Sequence, residues 1–286
     1  MKHLHFGISK VILATVVVGG MAALTPAAWA ITIPVACSEN ALVAAVNLAN
    51  STPAADTLVL AGGCTYHLTS AHGGLTDGLP VITTPIEMIG PATITRTSLL
   101  TFRIAEVSST GSLTLTTGVA LTNGDALLGD GGGILNHGAV TLTNSSLSGN
   151  TAAAGNGGGL ANPDTSSGTA PAATFTRSPV TNNTALLGNG GGIYNGLRGT
   201  LTATGVSGSP LFIQGNTAGA RGGGIAAINS TATTLTQVAV TVNHAGITAG
   251  GVYRSGGTMT TTNSPITANT PNNCVGSAPA VPNCTG

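Results

Sequence analysis

The sequence predicts an all-β solenoid, a parallel β-helix with a short helix capping its N-terminal end. Three observations carry that expectation. The phrase Ala126-Leu-Leu-Gly-Asp-Gly-Gly-Gly-Ile-Leu-Asn136 returns almost letter for letter as Ala185-Leu-Leu-Gly-Asn-Gly-Gly-Gly-Ile-Tyr-Asn195. Looser copies end in Gly157-Gly-Gly-Leu-Ala-Asn162, Gly222-Gly-Gly-Ile225 and Gly250-Gly-Val252. Asn123, Asn150, Asn183, Asn216, Asn243 and Asn269 mark successive units, with steps of 27, 33, 33, 27 and 26 in the numbering. The array also carries a Thr-x-Thr segment at each step: Thr114/Thr116, Thr141/Thr143, Thr174/Thr176, Thr202/Thr204, Thr234/Thr236 and Thr258/Thr260. Repeats of this length mean stacked units that bury their apolar faces only against one another.

Each element has a local reason. In the Thr-x-Thr segments, threonines alternate with apolar residues such as Leu113/Leu115 and Val140/Leu142, so period 2 turns the apolar set inward and the threonines outward. The period near 27 suits about three short strands per coil, and is too short for the blade of roughly 40 residues that a propeller needs. Glycine triplets suit one corner, where the backbone is crowded or left-handed. The recurring Asn suits a stack bonding to neighbouring coils.

The N-terminus reads as a secretion signal. Lys2 and Lys10 precede the apolar run Val11–Leu24, which is shorter than the roughly 20 residues that span a bilayer. Ala28-Trp29-Ala30 fits a cleavage site, so residues 1–30 are expected to be removed. No second stretch is long enough for a membrane span. The chain is therefore expected to be extracellular, free or associated with a cell surface, and monomeric.

Residues 31–70 are the expected cap. Within them Ser38–Asn50 reads as a helix: Ser38 suits the N-cap, Glu39 the first turn, and Leu42, Val43 and Val46 share a face. Short β segments follow at 57–60, 65–68, 81–83, 86–89, 93–95 and 102–107. Residues 71–270 are the coils, with an excursion at 70–80 and loops at 163–171 and 205–210. Residues 271–286 form a tail.

Four cysteines in an exported chain favour disulfides. Cys37 and Cys64 stand 27 apart in the numbering, one coil, and Cys274 and Cys284 bracket a Pro-rich loop. Local pairing is expected, because the alternatives require the two ends of the stack to meet. Zinc is the rival, but no Cys-x-x-Cys pair exists.

Of the 286 residues 43 are Gly, 6% are charged and 3% aromatic, and the net charge is zero. After loss of the leader, six Arg face eight acidic residues and no Lys, formally −2. Nucleic-acid binding is excluded on charge, and 42% hydrophobic residues is too apolar for disorder.

The Gly-Gly-Gly-Ile, Thr-Leu-Thr and Ser-Gly-Asn phrases resemble bacterial secreted right-handed parallel β-helix repeat proteins. The likeness is nearest to Pmp-like (polymorphic outer-membrane protein) repeats, with their Gly-Gly-aliphatic-Ile and Phe-x-x-Asn phrases. Gly131–Ile134, Gly190–Ile193 and Gly222–Ile225 approximate the first phrase, with a third Gly for its aliphatic residue. Leu147-Ser-Gly-Asn150 and Ile213-Gln-Gly-Asn216 keep the Asn of the second but lack the Phe. Cys37-Ser38 with the helix, and Asp56-Thr-Leu with Thr65-Tyr, look like the cap of such proteins. The resemblance implies a right-handed, single-stranded β-helix and a theme of adhesion and surface exposure. From the 286-residue length, the translocator barrel common in that group is not expected.

Chemistry is thinly supplied. A β-helix lyase or hydrolase wants clustered carboxylates. The acids are Glu39, Asp56, Asp77, Glu87, Glu106, Asp125, Asp130 and Asp164, of which Glu106, Asp130 and Asp164 lie loosely one period apart. The place of Asp130 is taken in later copies by Asn156, Asn189 and Arg221, as at a tolerant surface corner. His67, His72, His137 and His244 lack metal-ligand spacing, and Gly129–Gly133 lacks the Lys-Ser/Thr of a P-loop. No catalytic residue, cofactor or metal is expected. The Thr rows are the candidate surface, although Arg177 and Gln237 follow two of them and threaten their flatness. A stacked Thr array suits sugars or ordered water, but Thr is also simply a good strand residue. The expected role is non-catalytic: structural, adhesive or glycan-contacting. The alternatives are a polysaccharide lyase or glycoside hydrolase, and an ice-binding protein.

Overall fold

The computed structural model describes residues 29–163 and 169–286. The expected leader, apart from Trp29 and Ala30, and the centre of the 163–171 loop, including Asp164, lie outside them. The chain is a parallel β-solenoid of about nine turns with one short helix. Successive turns stack their strands into four parallel sheets. The nine-stranded sheet runs from Thr32–Val35 to Thr258–Thr262, and the eight-stranded sheet from Cys64–Leu68 to Ile266–Thr267. A five-stranded sheet runs from Asp125–Ala126 to His244–Ala245, and a six-stranded sheet from Ala105–Val107 to Val252–Ser255.

One coil contains Ala139–Thr143, Ser146–Ser148, Thr151–Ala152 and Leu160–Asn162. A regular coil therefore has four strands, where the sequence suggested about three. The extra one is a Thr-Ala dipeptide, too short to show any periodicity. In the early coils Ile82 makes only an isolated bridge to Val107, so 81–83 is not a regular strand.

The core is built of columns, one side chain per coil. Tyr66, Ile94, Leu121, Leu147, Val180, Ile213, Val240 and Ile266 form one. Leu58, Met88, Leu115, Leu142, Phe175, Ala203, Leu235 and Thr261 form another. Phe175 is the large member of its column. Ala173, two residues before it, and Ala203, in the next coil, are small enough to make room for the ring. At the narrow corner of the five-stranded sheet the inward column is Ala126, Ala152, Ala185, Ala218 and Ala245.

Beside that corner the Asn stack is internal. Asn150, Asn183, Asn216 and Asn243 are at most 1% exposed. Each donates its backbone N–H and its Nδ2 to Oδ1 of the Asn in the next coil, at 2.9–3.0 Å, and the last of these acceptors is Asn269. The stack thus satisfies backbone and side chain together, which a buried corner requires. Asn123 is not a member. Its successor Gly124 occupies the ladder position, donating to Asn150 Oδ1. Asn123 stands in a neighbouring column of left-handed residues, with Gly149, Asn182, Gly215, Val242 and Ala268. The glycine triplets are needed for space: a Cβ on Gly132 would strike the Thr151 carbonyl, and Gly131 has φ of 70°.

The helix Glu39–Asn50 covers the first coil with Leu42, Ala45, Val46 and Ala49, and Ser38 Oγ accepts from the Ala41 N–H at 3.2 Å. Val43 is only half-buried. Disulfides join Cys37 to Cys64 and Cys274 to Cys284. Among the described residues no helix is long and apolar enough to cross a membrane.

Candidate functional site: a threonine lattice and a polar cluster

The outer face of the nine-stranded sheet carries the threonines in two ranks. Thr114, Thr141, Thr174, Thr202, Thr234 and Thr260 follow one another in register. Thr116, Thr143, Thr176, Thr204, Thr236 and Thr262 form the second rank. The expected Thr258 falls in a third rank, with Ser112, Ala139, Ala172, Thr200 and Ala232, and Thr262 completes the pattern in its place. The slip comes from the sequence Thr258-Met-Thr-Thr-Thr262, where several Thr pairs fit a period of 2 and only pairing with the coil before selects one.

The lattice repeats at about 4.8 Å between coils and roughly 6.6 Å along each strand. Among the described residues Thr116 is the only member of the two ranks whose hydroxyl bonds another protein group, donating to Glu87 Oε1 at 3.2 Å. The other hydroxyls face outward, free for a ligand or water. Arg177 and Gln237 stand one residue past their strands, Ala172–Thr176 and Ala232–Thr236, and both adopt positive φ, 48° and 54°. Glu87 ends the first six-Thr rank on its N-terminal side.

Every described acid has a partner. Asp56 accepts from the Ile31 N–H at 2.8 Å and from Thr52 Oγ1 at 3.0 Å. Asp125 lies 3.7 Å from Arg96. Glu39 accepts from Thr69 and Ser70 and meets His72 Nε2 at 2.9 Å. Burial works against its charge, but hydrogen bonds from the Thr69 side chain, His72 and the Thr69 and Ser70 amides outweigh it, holding the pKa at about 2 against an ordinary 4.5. The corner at Asp130 carries a short amide ladder, which ends at Asn189, where the next coil has Arg221. Asp130 Oδ1 accepts from the N–H and Nδ2 of Asn156, whose Oδ1 serves Asn189 in the same way. Asp and Asn interchange there because each supplies the acceptor.

One cluster was not foreseen. Arg103 is buried and its guanidinium bonds the buried Asp77 carboxylate and, at 3.4 Å, Glu106 Oε2. Burial and the neighbouring Asp77 push the Glu106 carboxyl up, against the pull of Arg103 and His137. His137 Nδ1 is buried there without a partner. The 70–80 excursion causes the meeting, because it runs alongside the next coil and pairs Asp77 with Arg103. The available signal was their sequence separation of 26, one coil. Asp77 is buried and held by Arg103, so it does not face Glu106 across a substrate-sized gap as a glycosidase pair would. Among the described residues no three of His, Cys, Asp and Glu converge as a metal set.

Comparison of the chain with protein families, with curated proteins and with solved structures found no match.

Proposed function

We propose that the protein is an extracellular, non-catalytic contact protein of the Pmp-like β-helix kind. On this reading the threonine lattice is its adhesive or glycan-contacting face. The observation that carries the proposal is the pair of six-Thr ranks in register, with every hydroxyl but that of Thr116 free of protein partners among the described residues. A repeating grid of hydroxyl and methyl groups complements a repeating hydroxylated surface better than it complements a single small molecule. The engagement of each described acid in a structural bond also favours a contact role over a lyase or hydrolase. The test is a pull-down of the mature chain on insoluble cell-wall and host-surface polysaccharides. The expected result is retention that is lost in Thr174→Arg, which places a charge in the middle of the lattice. Retention unchanged by that substitution, or turnover of a glycan abolished by changing Asp125 or Asp130, would sink the proposal.

The same register favours a second reading, ice binding, because a regular lattice can order water. It predicts thermal hysteresis at high protein concentration that Thr174→Arg removes, and absence of hysteresis in the unaltered chain ends it.

A further inference from the structure

A second outward column lies on the six-stranded sheet. In register, coil by coil, it reads Glu106, Leu135, Ala161, Tyr194, Ala226 and Tyr253. Beyond the leader the chain has six aromatic residues. Tyr66, Phe102 and Phe175 are in the core. Two of the remaining three, Tyr194 and Tyr253, are half-buried and stand in this one column, two coils apart. At the strand spacing of a sheet that separation is roughly 9.6 Å, a span that a disaccharide covers. Ala226, between them, is completely covered.

Both rings have supports. Tyr194 reclines over Gly196, the residue just past the end of its strand Ile193–Asn195. A Cβ there would meet Cε1 of the ring at 2.7 Å and its Cζ and Oη at 3.2 Å. Gly196 does not have positive φ, so glycine is used here for the space above it. Tyr253 has the Arg221 guanidinium 5.4 Å from its ring centroid. Tyrosines fixed in this way lose little freedom when they stack on a ligand.

The charges along the column nearly cancel: Arg103 and Arg221 stand against Asp77, Glu106 and Asp130. A face so nearly balanced complements an uncharged ligand. A polyanion would find Arg103 already engaged and would meet Glu106 and Asp130. Nucleic acid is thereby disfavoured although its bases also stack on aromatics.

From these relationships we infer that the six-stranded sheet binds a neutral linear polysaccharide lengthwise. Tyr194 and Tyr253 take sugar rings two coils apart, and Glu106 at the head of the column hydrogen-bonds the hydroxyls of the chain. The inference does not depend on the threonine lattice, which lies on a different sheet.

The experiment is affinity electrophoresis of the mature chain in gels carrying soluble neutral polysaccharides: a mixed-linkage β-glucan, a xylan and a glucomannan. At least one should retard the protein. Tyr194→Ala and Tyr253→Ala should each weaken retardation about tenfold, roughly 1.4 kcal/mol. Gly196→Ala is the sharper probe. It displaces only the end of the Tyr194 side chain, so the melting temperature should hold while retardation falls. Thr174→Arg should leave retardation unchanged, which separates this face from the lattice. No retardation by any of the three, or retardation that survives the double variant Tyr194→Ala/Tyr253→Ala, overturns the inference. Binding of a Pro-rich peptide in place of every polysaccharide also overturns it.

Discussion

Asn150 donates both its backbone N–H and its Nδ2 to a single atom, Oδ1 of Asn183, at 3.0 Å in each case. Asn183 in turn donates its Nδ2 to the Leu147 carbonyl at 3.1 Å and to Asn216. One side chain therefore serves three coils. Replacing it with Ala leaves the Asn150 N–H and the Leu147 carbonyl buried without those partners, at about 1–3 kcal/mol for each orphan. Asn183→Ala is expected to lose about 2–6 kcal/mol in urea unfolding, and a loss under about 1 kcal/mol would show that water repairs the ladder.

Val242 sits in the neighbouring column of left-handed residues, where other coils have Asn123, Gly149, Asn182 and Gly215. Its φ is 56°, and it is 57% exposed, so its side chain gains little from packing. A β-branched residue is strained in that region, at about 1–2 kcal/mol for an ordinary residue. Val242→Asn should raise stability by roughly 0.5–1 kcal/mol. A lower melting temperature in the variant would contradict this.

Glu39 ties the start of the helix to Thr69, Ser70 and His72. Its pKa of about 2 lies below the ordinary 4.5, so the folded state holds the proton less tightly than the unfolded chain. The contribution is complete above pH 4.5 and is lost as the pH falls from there towards 2. Urea midpoints measured across that window should fall more steeply for the native chain than for Glu39→Gln. Parallel curves would mean that the cluster does not couple to folding.

The Cys37–Cys64 bond closes a loop of 27 residues across the cap. Replacing both cysteines by serine should cost about 3 kcal/mol in the chain-entropy account. Hydrogen exchange should show the change concentrated in 31–68, with the coils from residue 112 onward protected as before. Uniform loss of protection would mean that the cap governs the whole stack.

The periodic parts of the molecule were legible because one physical demand recurs in every coil. Leu115, Leu142 and Leu235 announce an inward column, and Asn150 to Asn269 announce a buried acceptor chain. Asn123 misled by a single position because two neighbouring columns favour Asn for different reasons: one needs an amide to stack, and the other needs a residue that tolerates left-handed φ. The cluster of Asp77, Arg103 and Glu106 was obscured because it depends on an aperiodic excursion. Tyr194 and Tyr253 differ from their repeat equivalents, Leu135, Ala161 and Ala226, and a consensus hides such departures.

The ladder tolerates unequal coils: its steps from Gly124 are 26, 33, 33, 27 and 26 residues, yet the paired strands keep their register. In the second of the long steps the extra residues leave between Thr200–Thr204 and Leu211–Gln214. The near-identical stretches 126–136 and 185–195 are therefore natural points of recombination. Joining Ala126 directly to Leu186 removes everything between them, which is two whole coils. Asn216 then takes the place that Asn150 now holds beside Gly124, and the N-terminal helix and the C-terminal disulfide are both kept. The length of such a solenoid can change by whole turns without a new fold having to be found.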